Sequence, residues 1–279
     1  MTEAATAFVP GHVTGFFSAH PDEDPTVAGS RGAGLTLTDG VTVTVRRADG
    51  DADAPVVRLG GSAADIDPVD RVLDTLRAPA RVEAETDLPL GAGFGVSGAA
   101  ALGTAFAANA VFDRGLSENE LVTVAHGAEV LSGTGLGDVV AQARGGIPIR
   151  LEPGAPEHGK LDGIPARARV EYVTFGELST ADVLAGDTET LSTAGREALS
   201  TLVGDPTLPT FMRASRTFAR EADLLTEQVT EAIRDVSDAG GEASMGMLGE
   251  TVFAVGTGLT DAGYDPTVCA THPAGATLR

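Results

Sequence analysis

The chain has 279 residues, of which 42% are hydrophobic and 21% charged, enough to bury a core in one large domain or in two closely packed ones. Its 40 acidic and 19 basic residues give a formal charge of -21, which repels nucleic-acid backbones and anionic lipids, so we expect neither kind of partner. The acidic excess extends from Asp22 to Asp265 and predicts adaptation to high salt, with lower stability at low ionic strength.

The sequence indicates neither a secretory signal nor a membrane span. Residues 1–6 lack a basic region followed by an apolar run, and no window approaches about eighteen consecutive apolar residues. We therefore expect a cytoplasmic location. Cys269 is the one cysteine, which excludes a disulfide framework and predicts a buried structural thiol. The five histidines do not have the spacing of a zinc site.

The first predicted elements are a hairpin, a helix and a strand. Residues 35–45 alternate between apolar and polar types on both sides of Asp39-Gly40, which favours a hairpin that turns there. An Asp-Pro pair opens a short predicted helix over 68–77, with Asp67 as its N-cap. A strand is expected over 81–85.

Two longer helices and another strand follow. One helix begins at the glycine-rich turn described below and extends to about Phe112. A capping box formed by Ser117 and Glu120 predicts the start of the next helix, which ends near Leu131. Residues 147–151 are typical of a strand.

The second half of the chain begins with a predicted linker. Residues 152–159 are rich in proline and glycine, so we place a domain boundary there, which divides the chain into domains 1–155 and 156–279. Strands and long helices beyond it predict a layered α+β sandwich. The expected strands are 169–174 and 251–255, and the expected helices are 189–203 and 209–237.

The most informative segment is a glycine-rich turn that leads directly into an alanine-rich helix, over residues 89–100. Glycines let a backbone approach a ligand closely, and a helix N-terminus offers unpaired amide groups to a phosphate. Taken alone, the pattern also fits a tight loop before a buried helix. It is not a P-loop, which needs a lysine at the helix start, because the one lysine is Lys160 in an unrelated loop.

A dinucleotide-binding site is an alternative interpretation of the same turn. Gly93, Gly95 and Gly98 satisfy the G-x-G-x-x-G pattern, and Asp113 lies at about the distance of a ribose-binding acid. That fold requires a continuously apolar strand directly before the turn. Residues 81–85 alternate instead, so we consider the dinucleotide interpretation the weaker of the two.

Two carboxylates further along lie on either side of a small-residue turn. Glu129 is near the end of one predicted helix, and Asp138 opens the next element. Phosphoryl transfer needs an oxygen ligand for magnesium and a carboxylate that orients or deprotonates the attacking hydroxyl. Singly, the two residues fit a solvated helix position and an N-cap; together with the glycine-rich turn they favour a catalytic pair. A third glycine segment, 240–255, would let a loop approach the reacting groups.

These segments together resemble the GHMP kinase superfamily, which includes galactokinase, homoserine kinase, mevalonate kinase and phosphomevalonate kinase. The resemblance covers essentially the whole chain, and its matching segments are Ala7–Phe17, Pro89–Ala100, Glu129–Gly146 and Ala243–Ala254. Within the superfamily, residues 8–12, 29–34 and 247–254 look most like the archaeal pantoate kinases, and the acidic composition fits a haloarchaeal member.

The resemblance implies an α+β GHMP kinase fold, with an N-terminal ATP-binding domain like domain 2 of ribosomal protein S5 and a ferredoxin-like C-terminal domain. It implies ATP and Mg²⁺ as cofactors and pantoate as the acceptor, and it allows a homodimer. A kinase for another small alcohol, such as homoserine or mevalonate, remains an alternative. A dinucleotide-binding oxidoreductase and a catalytically silent nucleotide-binding regulator are alternatives from other classes.

The resemblance also assigns site residues, which are expectations at this point. Asp138 is expected to be the catalytic base, and Ser97 and Glu129 are expected to hold magnesium. Pantoate carries a carboxylate that requires a cation, for which Arg31 is the first candidate and Arg144 the second. His12 is expected to contact a substrate hydroxyl, and Gly246 is expected to line the substrate site. The residues expected to hold ATP are Pro89, Gly91, Gly93, Gly95, Ser97, Gly98 and Ala99.

Overall fold

The computed structural model of the chain describes residues 3–48, 57–176, 188–247 and 249–279. The helices in these ranges are α1 (Asp67–Thr75), α2 (Val96–Phe112), α3 (Glu118–Ser132), α4 (Asp138–Arg144), α5 (Thr188–Gly204), α6 (Leu208–Glu221), α7 (Glu227–Asp238) and α8 (Gly258–Asp261). The strands are β1 (Ala4–His20), β2 (Gly29–Arg47), β3 (Val57–Leu59), β4 (Ser62–Ala63), β5 (Ala80–Glu85), β6 (Ile147–Glu152), β7 (Lys160–Ile164), β8 (Arg169–Gly176), β9 (Glu242–Gly246), β10 (Glu250–Val255), β11 (Thr267–Ala270) and β12 (Thr277–Leu278).

Two long antiparallel strands, β1 and β2, organise the molecule. The predicted hairpin at Asp39-Gly40 is wrong, because β2 continues through this pair while β1 lies beside it on both sides. Gly40 is opposite Pro10, where a Cβ would collide with the carbonyl oxygen of Val9. The glycine therefore allows close strand packing and does not form a turn.

The strands form two sheets. The larger sheet has the order β12-β1-β2-β5-β3-β4, with β6 and β7 joined to it through β2, and the smaller has the order β11-β8-β10-β9. The strand pairs in the described ranges are antiparallel except for β3 with β5. In addition, β5 ends at Glu85, well before α2 begins at Val96. Both observations contradict the parallel sheet of a dinucleotide-binding fold.

The N-termini of α1 and α3 test two capping predictions. The predicted cap by Asp67 is wrong, because α1 begins at Asp67 itself and this carboxylate accepts hydrogen bonds from Arg71 and Ser132. The predicted capping box of α3 is confirmed: the Ser117 hydroxyl accepts from the Glu120 amide at 3.4 Å, and the Glu120 carboxylate accepts from the Ser117 amide at 2.7 Å.

The long helix predicted over 209–237 is divided into α6 and α7. The break occurs around Asp223, whose φ of 54° lies in the left-handed region, and Thr226 then caps α7 by accepting from the amide of Val229. A non-glycine residue in that region cannot continue a right-handed helix. The other predicted helices and strands are confirmed, with small shifts at their ends.

Buried apolar side chains form two clusters. One lies between the larger sheet and α1, α2 and α3, and includes Val43 and Leu102. The other joins the two sequence halves, since Phe16 of β1 packs against Phe211 and Phe218 of α6 at ring-centroid distances of 6.2 and 6.4 Å. The boundary near residue 155 thus does not divide the core, and the two-domain division stays a prediction. None of the helices in the described ranges has the length and apolar character needed to span a bilayer.

Candidate active site

The glycine-rich turn, Pro89–Gly95, has the backbone conformation that its composition predicts, and we refer to it as the phosphate turn. Gly91, Gly93 and Gly95 have φ values of 70°, 85° and 63°, in the left-handed region that favours glycine. Gly95 is the N-cap of α2, so the turn delivers the backbone directly to the N-terminus of a 17-residue helix. The amides of Gly93 and Gly95 donate to no acceptor within the described ranges. This arrangement suits an anion.

Three carbonyl groups of the phosphate turn are held by three different elements. The Ala92 carbonyl accepts from the Thr251 hydroxyl of β10 at 2.8 Å, and the Phe94 carbonyl accepts from the His12 amide of β1 at 3.0 Å. The Gly95 carbonyl accepts from the Gln142 side chain of α4 at 2.9 Å. Since its carbonyls are anchored in this way, the turn is fixed relative to the elements that supply the other site residues.

Glu129 of α3 lies under the N-terminus of α2. Its side chain is 1% exposed and fits between Gly98 and Gly135, where a Cβ at either position would come within 2.6 Å of the carboxylate group. The Ser97 hydroxyl is 3.4 Å from its Oε1, whereas Oε2 is buried with no partner in the described chain. Burial, with a further contribution from the charge of Asp138, raises the pKa of Glu129 to about 8.

Asp138 opens α4 and is paired with His12 of β1. The Nδ1 atom of His12 lies 2.6 Å from Oδ1 of Asp138; the imidazole has no exposed surface, while the carboxylate side chain keeps 17% exposure. Burial opposes ionisation of Asp138, but the His12 hydrogen bond and the charge of Arg150 outweigh it and lower the pKa of Asp138. Burial lowers the pKa of His12, so the neutral ring donates to an ionised carboxylate.

Register irregularities in β1 explain how His12 reaches Asp138. The pairing of β1 with β2 shifts between Pro10 and His12 and again between Thr14 and Phe16. Bulges of this kind re-aim side chains. His12 therefore faces Asp138 at a position with no exposed surface, and its Nε2 atom is buried with no partner in the described chain.

Arg150 of β6 is a charged residue that the sequence analysis missed. It is 2% exposed, and its Nε and Nη1 atoms are buried with no hydrogen-bond partner in the described chain. A Cβ on Gly137, next to Asp138, would come within 2.7 Å of Nε, so the guanidinium lies beside the start of α4. A charged side chain directly between the apolar residues Ile149 and Leu151 is the signal that identifies it.

The other expected substrate residues lie in different places. Arg31 forms an ion pair with Glu152 at a partly exposed position. Arg144 is at the far end of α4 from Asp138, where its Nη1 donates to the carbonyl of Gly145 at 3.1 Å. Gly246 is at the end of β9, where a Cβ would come within 3.1 Å of Val13. The structure therefore brings Gly246 close to β1, but it places Arg144 away from Asp138, His12 and Arg150.

A cleft of about 430 Å³ adjoins the phosphate turn. Its apolar walls come from residues that include Leu59, Ile66, Leu90 and Val96. Its rim includes Gly91 and Ser97, which connect it to the phosphate turn. The size and the apolar lining suit a small organic group attached to the bound anion.

Comparison with known proteins identifies the family. Residues 67–146 match the model of the GHMP kinases N terminal domain. The chain is 35% identical over 266 residues to a pantoate kinase from Thermococcus kodakarensis, covering 89% of this chain and 86% of that protein. A pantoate kinase from Methanospirillum hungatei is 33% identical over 261 residues, which cover 90% of this chain and 87% of that protein. The chain belongs to the GHMP kinase family.

A solved structure supports the same assignment. It is described as a phosphotransferase related to the CoA biosynthesis pathway, and it superimposes with a TM-score of 0.88 at 30% identity, covering 99% of this chain and 98% of the other. The chain therefore has the GHMP kinase fold and is an ATP-dependent small-molecule kinase, as its glycine-rich segments predict.

Proposed function

We propose that the chain transfers the γ-phosphoryl group of ATP to the primary hydroxyl of pantoate, giving 4-phosphopantoate on the route to CoA. The observation that carries this proposal is the position of Arg150, a buried cation beside Asp138 with two donors that lack acceptors among the described residues. Pantoate is a hydroxy acid, so its carboxylate and its hydroxyl need a cation and a base close together. The whole-chain similarity to pantoate kinases supports the choice of acceptor.

The phosphate turn and the N-terminus of α2 would hold the triphosphate of ATP, and the adjoining cleft would hold its nucleoside. The amides of Gly93 and Gly95, which donate to no acceptor among the described residues, and the positive end of the α2 dipole would neutralise part of the phosphate charge. In the same proposal, Pro89, Gly91, Gly98 and Ala99 shape the backbone around the phosphates.

Magnesium fits the pair of Ser97 and Glu129. Glu129 has a buried Oε2 atom with no partner in the described chain, and Mg²⁺ is typically bound by one or two carboxylates together with substrate phosphates. When bound, Mg²⁺ would neutralise the charge that develops on the transferred phosphoryl group.

Asp138 would orient the acceptor hydroxyl and take its proton. As the hydroxyl oxygen forms a bond to the γ-phosphorus, the bond from that phosphorus to the bridging oxygen breaks and ADP leaves, while the hydroxyl proton passes to the Asp138 carboxylate. The lowered pKa keeps Asp138 ionised at neutral pH, and His12 holds it in place. In this proposal His12 is a positioning residue for Asp138, and its expected contact with a substrate hydroxyl stays a prediction.

Arg150 would bind the pantoate carboxylate, in preference to Arg31 and Arg144. Arg31 already has Glu152 as an ion-pair partner through Nη2, and one of its donors, Nε, is buried without an acceptor among the described residues; Arg150 has two such donors, Nε and Nη1, and lies beside Asp138. A guanidinium can bind a carboxylate through two parallel hydrogen bonds.

The sequence supports three further proposals. We propose that the protein is cytoplasmic and adapted to high salt, that it binds neither nucleic acid nor membranes, and that a homodimer is a permitted assembly.

An acceptor panel tests the proposed function. ADP release is measured in molar potassium chloride with ATP, Mg²⁺ and pantoate, homoserine or mevalonate as the acceptor. Turnover with pantoate and little with the others is expected. The Asp138→Asn variant should bind ATP normally but lose at least about 100-fold in turnover, because an amide cannot take the hydroxyl proton. Turnover with homoserine or mevalonate alone would contradict the proposed acceptor, and full activity of Asp138→Asn would exclude this residue as the base.

A further inference from the structure

A hydroxyl group of the smaller sheet reaches the phosphate turn. Thr251 of β10 is 1% exposed, and its Oγ1 donates to the carbonyl oxygen of Ala92 at 2.8 Å. The two residues are far apart in the chain, so the bond ties the third glycine segment to the first. Thr251 is not among the residues that the sequence analysis assigned to the site.

A second hydroxyl supports the first. Thr174 of β8 is opposite Thr251 in the sheet, and their Oγ1 atoms are 3.0 Å apart. Because the Thr251 proton is directed to Ala92, Thr174 is the donor in this second bond. The Ala92 carbonyl is therefore the end of a two-step hydrogen-bond chain that starts in the central part of the smaller sheet.

A backbone contact and a ring contact also join the phosphate turn to the smaller sheet. A Cβ on Gly249 would collide with the carbonyl group of Ala92, so the turn before β10 packs directly against the phosphate turn. Phe94 packs against Tyr172 of β8 with ring centroids 4.7 Å apart. Ala92 and Phe94, on either side of Gly93 in the phosphate turn, thus both contact the smaller sheet.

We propose that Thr251 is a positioning residue for ATP binding, which acts by holding the Ala92 carbonyl so that the neighbouring amide of Gly93 faces the phosphates. The inference rests on the proposed nucleotide site. Without the hydroxyl, the buried Ala92 carbonyl loses its one partner among the described residues, and the turn shifts to find another. The loss affects nucleotide affinity more than the acceptor site, since the side-chain pair of His12 and Asp138 and the position of Arg150 in β6 do not involve Ala92.

The main test compares three variants with wild type. Thr251→Val removes the hydroxyl and keeps the shape, and Thr251→Ser keeps the hydroxyl. Thr104→Val is the matched control, because Thr104 is a fully buried threonine of α2 whose hydroxyl has no partner in the described chain. The dissociation constant of a non-hydrolysable ATP analogue is measured by calorimetry, and the KM values for ATP and pantoate by steady-state kinetics.

We expect Thr251→Val to weaken analogue binding and to raise the KM for ATP roughly 5- to 10-fold, as befits one buried hydrogen bond. The KM for pantoate should stay within about twofold of wild type, and Thr251→Ser and Thr104→Val should bind the analogue like wild type. Thr174→Val should show a smaller change in the same direction as Thr251→Val, and it replaces that variant as the test if Thr251→Val does not fold.

Equal analogue affinity in wild type and Thr251→Val, with only a lower Tm in the variant, would overturn the inference and leave Thr251 a structural residue. The inference is also overturned if Thr104→Val weakens binding as much as Thr251→Val. Failure of the proposed function is recognised separately: wild type then binds the analogue but does not phosphorylate pantoate, and the calorimetric comparison still decides the role of Thr251. A wild-type protein that does not bind the analogue would overturn both.

Discussion

Arg150 and Arg31 differ in their exposure and in their hydrogen-bond partners. Arg31 is partly exposed and its Nη2 is paired with Glu152, which leaves its Nε as one buried donor without an acceptor in the described chain; Arg150 is buried beside Asp138 with two such donors. Burying an unpaired guanidinium is costly, and a bound carboxylate offsets that cost. Selection for binding explains such an arrangement better than selection for stability does.

Arg150→Met should therefore raise the KM for pantoate steeply and leave the KM for ATP almost unchanged. Loss of a buried charge-assisted pair typically costs about 2 to 5 kcal/mol, which is about 30-fold or more in affinity. Arg150→Lys keeps the charge without the bidentate geometry, so its KM for pantoate should lie between those of wild type and Arg150→Met. Arg31→Met is the matched control and should behave like wild type. If Arg31→Met raises the KM for pantoate and Arg150→Met does not, the carboxylate site is at Arg31.

Glu129 makes the stability of the metal-free protein depend on pH. Its pKa is raised from 4.5 to about 8, so between these values the folded state holds a proton that the unfolded state has lost. Stability from this group is complete below pH 4.5 and is lost as the pH rises through 8. We expect the Tm to fall between about pH 7 and pH 9, a window above the lowered pKa values of His12 and His126.

Thermal denaturation in the presence of a chelator measures this effect, and Glu129→Gln is its control. The glutamine cannot ionise, so the fall in Tm over this pH window should be largely absent in the variant. An identical pH dependence in the two proteins would show that another group causes it.

At the residue scale, the sequence brought together two carboxylates that lie in a local pattern, while their roles stay predictions. Glu129 and Asp138 flank a short turn, and the structure brings them close enough that the charge of Asp138 helps to raise the pKa of Glu129. Arg150 was missed because its importance depends on the pairing of β6 with β2, which sequence spacing does not reveal. The partnership of His12 with Asp138, 126 positions apart, is of the same kind.

At the level of elements, Gly95 of the phosphate turn can be compared with Gly133, a glycine of similar φ at the end of α3. Gly95 has a φ of 63°, and a Cβ there would come within 3.0 Å of Gln142 and 3.2 Å of Asp138. Gly133, which ends α3, has a φ of 68°, but a Cβ there would have no described atom within 4 Å. The two glycines share the conformational requirement, and only Gly95 is also crowded.

Gly95→Ala should therefore weaken ATP binding, whereas Gly133→Ala should only lower stability, by about 1 kcal/mol. The crowded methyl group would push the phosphate turn away from Asp138 and Gln142. Calorimetry with a non-hydrolysable ATP analogue and thermal denaturation separate the two effects. Unchanged analogue affinity in Gly95→Ala would place the triphosphate elsewhere.

The capping box, which the sequence predicted correctly, depends on local interactions, whereas the incorrect hairpin was decided by a distant strand. The capping box at Ser117 and Glu120 is formed within four residues, so the sequence contains all of its determinants. The Asp39-Gly40 pair is typical of a turn, but β1 pairs with β2 on both sides of it and keeps the strand extended. Local turn propensity is weak compared with a long strand pairing.

Considered as a whole, the molecule carries a formal charge of -21, which opposes its own compaction. Salt screens this repulsion, with a Debye length of about 10 Å at 0.1 M and about 3 Å at 1 M. The Tm should therefore rise markedly between about 0.1 M and 2 M potassium chloride. Sucrose serves as a control, because it favours the compact state without screening charge. Equal Tm values at the two salt concentrations would contradict adaptation to high salt.

Phosphorylation of pantoate is the central claim, and analysis of the product tests it most directly. The protein is incubated with ATP, Mg²⁺ and equal concentrations of pantoate, homoserine and mevalonate in molar potassium chloride, and the products are identified by ³¹P nuclear magnetic resonance. We predict one new phosphomonoester signal, coupled to the methylene protons of the primary carbon of pantoate, with ADP formed in equal amount. A phosphate ester of homoserine or mevalonate in place of 4-phosphopantoate would contradict the account.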